Sequence, residues 1–100
     1  SMVIAQNREV LTQTIRGTVR DHVTESTLPG ATVTIMGSNP VIGTTTDMNG
    51  EFKIENVAIG RVSLQVTFMG FEPAIARNLL LTSGKELVIR SEEHTSELQS

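Results

Sequence analysis

Apolar and polar residues alternate with a period of two along most of the chain, and turn-forming residues interrupt the alternation about every ten positions. Successive side chains of an extended chain point to opposite sides, so this period predicts strands with one buried face. Residues 14–21 set Ile15, Gly17 and Val19 against Arg16, Thr18 and Arg20. Residues 31–36 set Ala31, Val33 and Ile35 against Thr32, Thr34 and Met36. A weaker, threonine-rich strand is expected over residues 41–46, near a sheet edge. Residues 51–55 return with Phe52 and Ile54 inward, and residues 61–69 give the clearest alternation, with Val62, Leu64, Val66 and Phe68 on one side. Pro73 lacks the N–H that a ladder needs, so the strand over residues 72–81 is expected to start irregularly or to lie at an edge. Leu87 and Ile89 share a face in the last strand, residues 85–89.

Turn signals separate these strands at Pro29-Gly30, Gly37 to Pro40, Asp47 to Gly50, Gly60, Gly70 and Ser83-Gly84. In the Asp47 to Gly50 turn, Asn49 and Gly50 are the residues suited to positive φ. No apolar i, i+3, i+4 stripe runs for about twelve residues, so no helix is predicted. Seven strands with one apolar face each predict an all-β fold, a seven-stranded antiparallel, Greek-key-like β-sandwich.

Composition narrows the function classes. Valine, isoleucine and threonine suit a pleated surface, and the only aromatics are three phenylalanines. A net charge of −3, with the charges scattered, provides no basic stripe for nucleic acid or acidic lipid. With no cysteine, disulfides, a thiolate nucleophile and a cysteine zinc site are all excluded. No apolar run approaches the ~20 residues of a membrane-spanning helix.

The two ends break the pattern. Residues 90–100 are polar throughout and read as the codon-by-codon translation of a common sequencing-library adapter, so they are expected to be a non-native tail and are excluded from fold reasoning. Without Arg90, Glu92, Glu93 and Glu97 the net charge is −1. At the other end, Val3 and Ala5 fit the small-residue pattern before a signal-peptidase cut that would leave Gln6 first. The expected organisation is a signal-peptide remnant and lead-in over residues 1–13, a sandwich over 14–89 and the foreign tail over 90–100.

Candidate chemistry is sparse. Asp47, Asn49 and Glu51 suggest a calcium loop, but the ligand series stops at Gly50 and Phe52 is apolar, whereas an EF-hand continues to a bidentate Glu at position 12. A hairpin turn is the simpler reading. His22 has no second histidine at ligand spacing and would have to recruit Asp21 and Glu25, while His94 falls in the tail. No Gly-x-Ser-x-Gly elbow or phosphate-cradling glycine loop is present. Asp21, Glu25, Asp47, Glu51, Glu55 and Glu72 fall beside turns or at outward strand positions, not as a converging acid pair. A sugar platform would need exposed Trp or Tyr, and the chain has neither. The threonines Thr32, Thr34, Thr44 and Thr46 are expected to form an outward, solvated ladder. No catalytic, cofactor-binding or metal-ligating residue is predicted, and no cofactor.

The order of the turn and strand motifs carries a family resemblance. Ile15-Arg-Gly-Thr-Val19, Leu28-Pro-Gly-Ala-Thr-Val33, Gly43 to Phe52 containing Thr46-Asp47 and Gly50, Asn56 to Gly60, and Phe68-Met-Gly-Phe-Glu72 together resemble the carboxypeptidase regulatory-like domain. Thr27 before Leu28-Pro29, Ala58 where proline is common and Phe71 in place of tyrosine depart from the usual pattern at turn or core positions. The resemblance implies a transthyretin-like (prealbumin-like) sandwich. It also implies a setting, because such domains directly after a signal peptide are frequent at the N-terminus of TonB-dependent outer-membrane receptors of Bacteroidetes-type bacteria. Residues 78–89 look like the segment leading out of the sandwich in those receptors. The expectation is a non-catalytic accessory or spacer domain on the periplasmic face of the outer membrane, whose partner is another protein or the parent's own plug and barrel. The same module occurs in secreted peptidases and other surface enzymes, where it would help folding, docking or glycan binding.

Overall fold

The computed structural model describes residues 10–89 and the backbone of Glu97–Leu98. The strands, in chain order, are β1 (Thr12–Thr18), β2 (Arg20–Asp21), β3 (Thr32–Ile35), β4 (Gly43–Thr45), β5 (Glu51–Ala58), β6 (Gly60–Thr67), β7 (Ala74–Leu81), β8 (Leu87–Ile89) and β9 (Glu97–Leu98). They form a three-stranded sheet of order β5-β1-β8 and a four-stranded sheet of order β4-β3-β6-β7, with β2 and β9 as a two-residue pair. The seven strands of these two sheets correspond to the seven expected from the alternation. Most of residues 1–13 and the tail lie outside the described residues. β1 starts at Thr12, slightly before the expected boundary at residue 14.

The pairing differs from an all-antiparallel plan at one place. β8 runs parallel to β1, with Leu87, Val88 and Ile89 opposite Ile15, Arg16 and Gly17. Gly17 permits the close approach: a Cβ there would sit 2.9 Å from the Ile89 Cβ and 3.0 Å from Cε1 of Phe52. Pro73 behaves as predicted, since β7 begins at the next residue and forms one edge of its sheet. The weak strand β4 forms the other edge.

One core joins the two sheets. Ile15, Phe52, Ile54, Val57 and Ile89 come from the first sheet, and Val33, Ile35, Leu64, Val66, Ala74, Ala76, Leu79 and Leu81 from the second. Val19, Leu28 and Ala31 close the cluster, and Val62, Phe68, Phe71 and Leu87 pack against it. Each fully buried aliphatic such as Ile15, Leu64 or Leu81 contributes about 1.5–3 kcal/mol by removal from water.

Two strands change phase partway along. On β5 the buried positions run Phe52, Ile54 and then Val57; on β7 they run Ala74, Ala76 and then Leu79 and Leu81. An inserted residue explains each switch. Gln13 and Ile15 of β1 oppose Val57 and Ile54, so β5 carries an extra residue there, and Val62 and Leu64 of β6 oppose Leu79 and Ala76. Asn56 and Asn78 sit within these bulges at φ 60° and 55°. Asparagine tolerates this left-handed conformation better than most side chains. The bulge also carries β5 beyond its expected end at residue 55, up to Ala58.

β4 shows a phase error in the sequence reading. Thr44 lies opposite buried Val33, and Thr45 lies opposite exposed Thr32. The outward row is therefore Thr45, Thr32 and Thr67. Thr46, expected to face outward, is only 6% exposed. Its Oγ1 donates to the Leu28 carbonyl at 2.6 Å and accepts from the Ala31 N–H at 2.8 Å. Those bonds satisfy two main-chain groups of the 28–31 loop, which is why a polar residue takes an inward place.

Candidate interaction surfaces

The carboxylates of Asp47 and Asp21 are engaged by the chain's own turns. The Asp47 carboxylate Oδ1 accepts from the N–H groups of Asn49 and Glu51, each at 2.9 Å. The Asp47 N–H donates to the Glu51 carbonyl and the Gly50 N–H to the Asp47 carbonyl. This is a closed turn, and it engages Oδ1 of the carboxylate that a calcium loop would use. It joins β4 in one sheet to β5 in the other, so it is a corner between sheets, not a hairpin within one. Gly50 takes the positive φ of 73°, and Asn49 does not share it.

Asp21 behaves in the same way. Its Oδ1 accepts from the Val23 N–H at 2.9 Å, and this bond holds its pKa below the ordinary aspartate value, opposed by some desolvation. The Thr24 hydroxyl and N–H lower it further, and His22 adds a small electrostatic contribution. Glu25 lies nearby at φ 63°, with its N–H bonded to the Asp21 carbonyl. The loop brings Asp21, His22 and Glu25 into sequence proximity. Among the described residues, however, no group of three or more His, Cys, Asp or Glu is placed to hold a metal ion. Glu51, Glu55 and Glu72 are exposed and separate. Arg16 Nε pairs with Glu86 Oε1 at 3.2 Å, with both side chains about half exposed, a pair that contributes little in water.

Open concavities lie among the described residues. One, of about 440 Å³, runs beside the β4–β5 corner, lined by Arg16, Thr18, Thr45, Asp47, Glu51 and Lys53 among others. Its charges are balanced. Another is lined by Gly30, Thr32, Thr67, Phe68 and Met69. Phe68 is partly buried, its ring tilted at 52° to that of Phe71 with centroids 5.5 Å apart. Phe52 is buried in the core, as the alternation predicts. Among the described residues, no helix is long and apolar enough to cross a membrane.

These features define a class: a two-sheet β-sandwich whose turns at Asp21 and Asp47 are closed by their own main-chain bonds. The sequence profile of the carboxypeptidase regulatory-like domain matches residues 14–92, and the chain belongs to that family. No curated protein matches it. Among solved structures, it is similar to a chain of an N-terminal interface mutant of a type II cohesin–X-dockerin complex from Acetivibrio cellulolyticus. That match has 23% identity and a TM-score of 0.65, over 86% of this chain and 56% of the other. It is also similar to a chain of the corresponding C-terminal interface mutant, at 25% identity and a TM-score of 0.66, with the same coverage. The present chain therefore spans little more than half the length of these relatives, and the likeness lies in the fold.

The sequence reading missed the two asparagine bulges, whose signal is an asparagine where the apolar spacing changes from two to three. It also missed the inward turn of Thr46, for which the alternation carries no signal.

Proposed function

We propose that this chain is a non-catalytic accessory domain of an exported bacterial protein, acting by protein contact or as a spacer ahead of the plug and barrel of a TonB-dependent outer-membrane transporter. The observation that carries this reading is the family match across the whole sandwich, in a molecule whose turn carboxylates bind their own backbone. The small-residue run ending at Ala5 supports export to the periplasm. β8 supports an onward connection, because it ends the sandwich as a strand beside β1 and leads directly into the segment beyond residue 89.

A second reading is a docking or glycan-binding module of a secreted peptidase or other surface enzyme. The likeness to chains from complexes studied as interface mutants favours it. Sequencing the source locus past codon 89 separates the two. A plug followed by alternating barrel strands supports the transporter, and a peptidase or glycosidase domain refutes it in favour of the second.

A further inference from the structure

β5 is an outer strand of its sheet, with β1 on one side and no strand on the other among the described residues. Such an edge leaves main-chain N–H and C=O groups free to pair with another chain. The register with β1 shows which groups these are. The Val19 N–H donates to the Gly50 carbonyl, and the alternation of an antiparallel ladder then turns the main-chain groups of Phe52 and Ile54 toward β1. Those of Glu51, Lys53 and Glu55 turn outward. Glu51 is already held, since its carbonyl accepts from the Asp47 N–H and its own N–H donates to Asp47 Oδ1. Among the described residues, Lys53 and Glu55 make no main-chain bond outside the sheet. Asn56, at φ 60°, ends the regular stretch on the far side.

The charges on this edge select a partner. Lys53 and Glu55 are both exposed. Lys53 stands opposite Arg16 in the ladder, where like charges repel, and Arg16 itself pairs with Glu86. Neither Lys53 nor Glu55 takes part in an ion pair among the described residues. A second copy of β5 can lie antiparallel along the edge in few registers, because opposite residues share a face and outward positions must meet outward positions. Centring on Lys53 sets Lys53 against Lys53 and Glu51 against Glu55. Centring on Glu55 sets Glu55 against Glu55. Centring on Phe52 matches Glu51 with Lys53, but it needs the main-chain groups that Asp47 already holds. Centring on Ile54 sets Lys53 of each copy opposite Glu55 of the other, and these are the residues whose main-chain groups are free. One register meets both requirements.

We propose that the free edge of β5 is a self-association surface, on which two copies of the chain pair antiparallel about Ile54 and join their β5-β1-β8 sheets into one. Lys53 and Glu55 of opposite copies exchange main-chain hydrogen bonds and form the cross-strand ion pairs. The other registers are blocked by like charges or by the corner. The pairing covers only residues 53–55 of each copy, so the contact is small and the dimer weak, populated near millimolar concentration and dissociated at micromolar. This surface does not depend on the transporter reading.

The test follows dimerisation of residues 1–100 from micromolar to millimolar concentration by sedimentation, with isotope-filtered NOEs in a mixture of labelled and unlabelled chain. The expected result is a concentration-dependent dimer with an Hα–Hα NOE between the two copies of Ile54, because Cα atoms approach most closely in a pair that is not hydrogen-bonded. Lys53→Glu and Glu55→Lys each turn both cross-strand attractions into repulsions and should weaken association by about ten- to thirty-fold, while the double swap should restore it to within about three-fold. The NOE tests the register in the unaltered chain even where a variant misfolds. A chain that stays monomeric throughout, single variants that dimerise as the parent does, or a folded double swap that stays monomeric would overturn the proposal.

Discussion

Replacing Thr46 by valine keeps the side chain's shape and removes only the hydroxyl. In the structure that hydroxyl is buried and serves two main-chain groups, the Leu28 carbonyl at 2.6 Å and the Ala31 N–H at 2.8 Å. Valine leaves a buried acceptor and a buried donor without partners, each worth about 1–3 kcal/mol when orphaned. The remaining main-chain bonds of Thr46, to Ala31 and Gly30, hold the loop in place and prevent it from turning to water. The expected loss is therefore about 2–4 kcal/mol, a large share of the stability of a domain this size. In Tm this is on the order of 10–20 °C. Thr46→Ser keeps both bonds and loses one methyl group, which costs about 1 kcal/mol. The chain has no Trp or Tyr, so urea unfolding is followed by far-UV circular dichroism. If Thr46 faced solvent, as the alternation suggests, valine would be neutral or mildly stabilising. Valine within 0.5 kcal/mol of the parent, or serine worse than valine, would refute the buried bridge.

Other residues give independent checks. Gly50→Ala places a Cβ 2.8 Å from Thr27 Cβ and 3.0 Å from both Leu28 N and Val19 O, at φ 73°, so a loss of about 2–4 kcal/mol is expected on urea unfolding, and an unchanged midpoint would contradict the corner geometry. Asn78→Val should cost about 1–2 kcal/mol at φ 55°, while Asn78→Gly should stay within about 0.5 kcal/mol; equal losses would argue against a left-handed bulge. The Asp21 carboxyl should titrate below 3.8 by carbon-13 NMR, and Val23→Pro, which removes the principal N–H donor, should raise the midpoint. Because the folded pKa is depressed, the stabilisation linked to this charge is complete above the ordinary aspartate range and is lost as pH falls through the lower folded value. A midpoint at or above 3.8 would remove that contribution.

The alternation placed the core because one face of each strand must leave water, and Ile15, Val33, Ile54, Leu64 and Val66 are buried as it requires. It located the edges through Pro73 and the weak β4 strand. It lost the phase at Asn56 and Asn78, because a bulge shifts the side-chain period by one without any change in composition. Thr46 was misplaced because its neighbours are threonines on both faces, and only the unpaired groups of the 28–31 loop explain its inward turn. The parallel approach of β8 to β1 is a long-range pairing, and no local pattern encodes it. The turn at Asp47 was legible, but its role as a corner between sheets was not.

The described core lies between Ile15 and Ile89, so the sandwich is expected to fold without the residues that follow. Beyond that point the described backbone adds only the two-residue pairing of Glu97–Leu98 with Arg20–Asp21. The direct measurement compares residues 1–89 with residues 1–100 by thermal unfolding and by nitrogen-15 amide spectra. The expected result is Tm values within about 2 °C and amide shifts confined to Arg20, Asp21 and the residues near Ile89. A shortened chain that fails to fold, or shifts spread through Leu64, Val66 and Leu81, would contradict it.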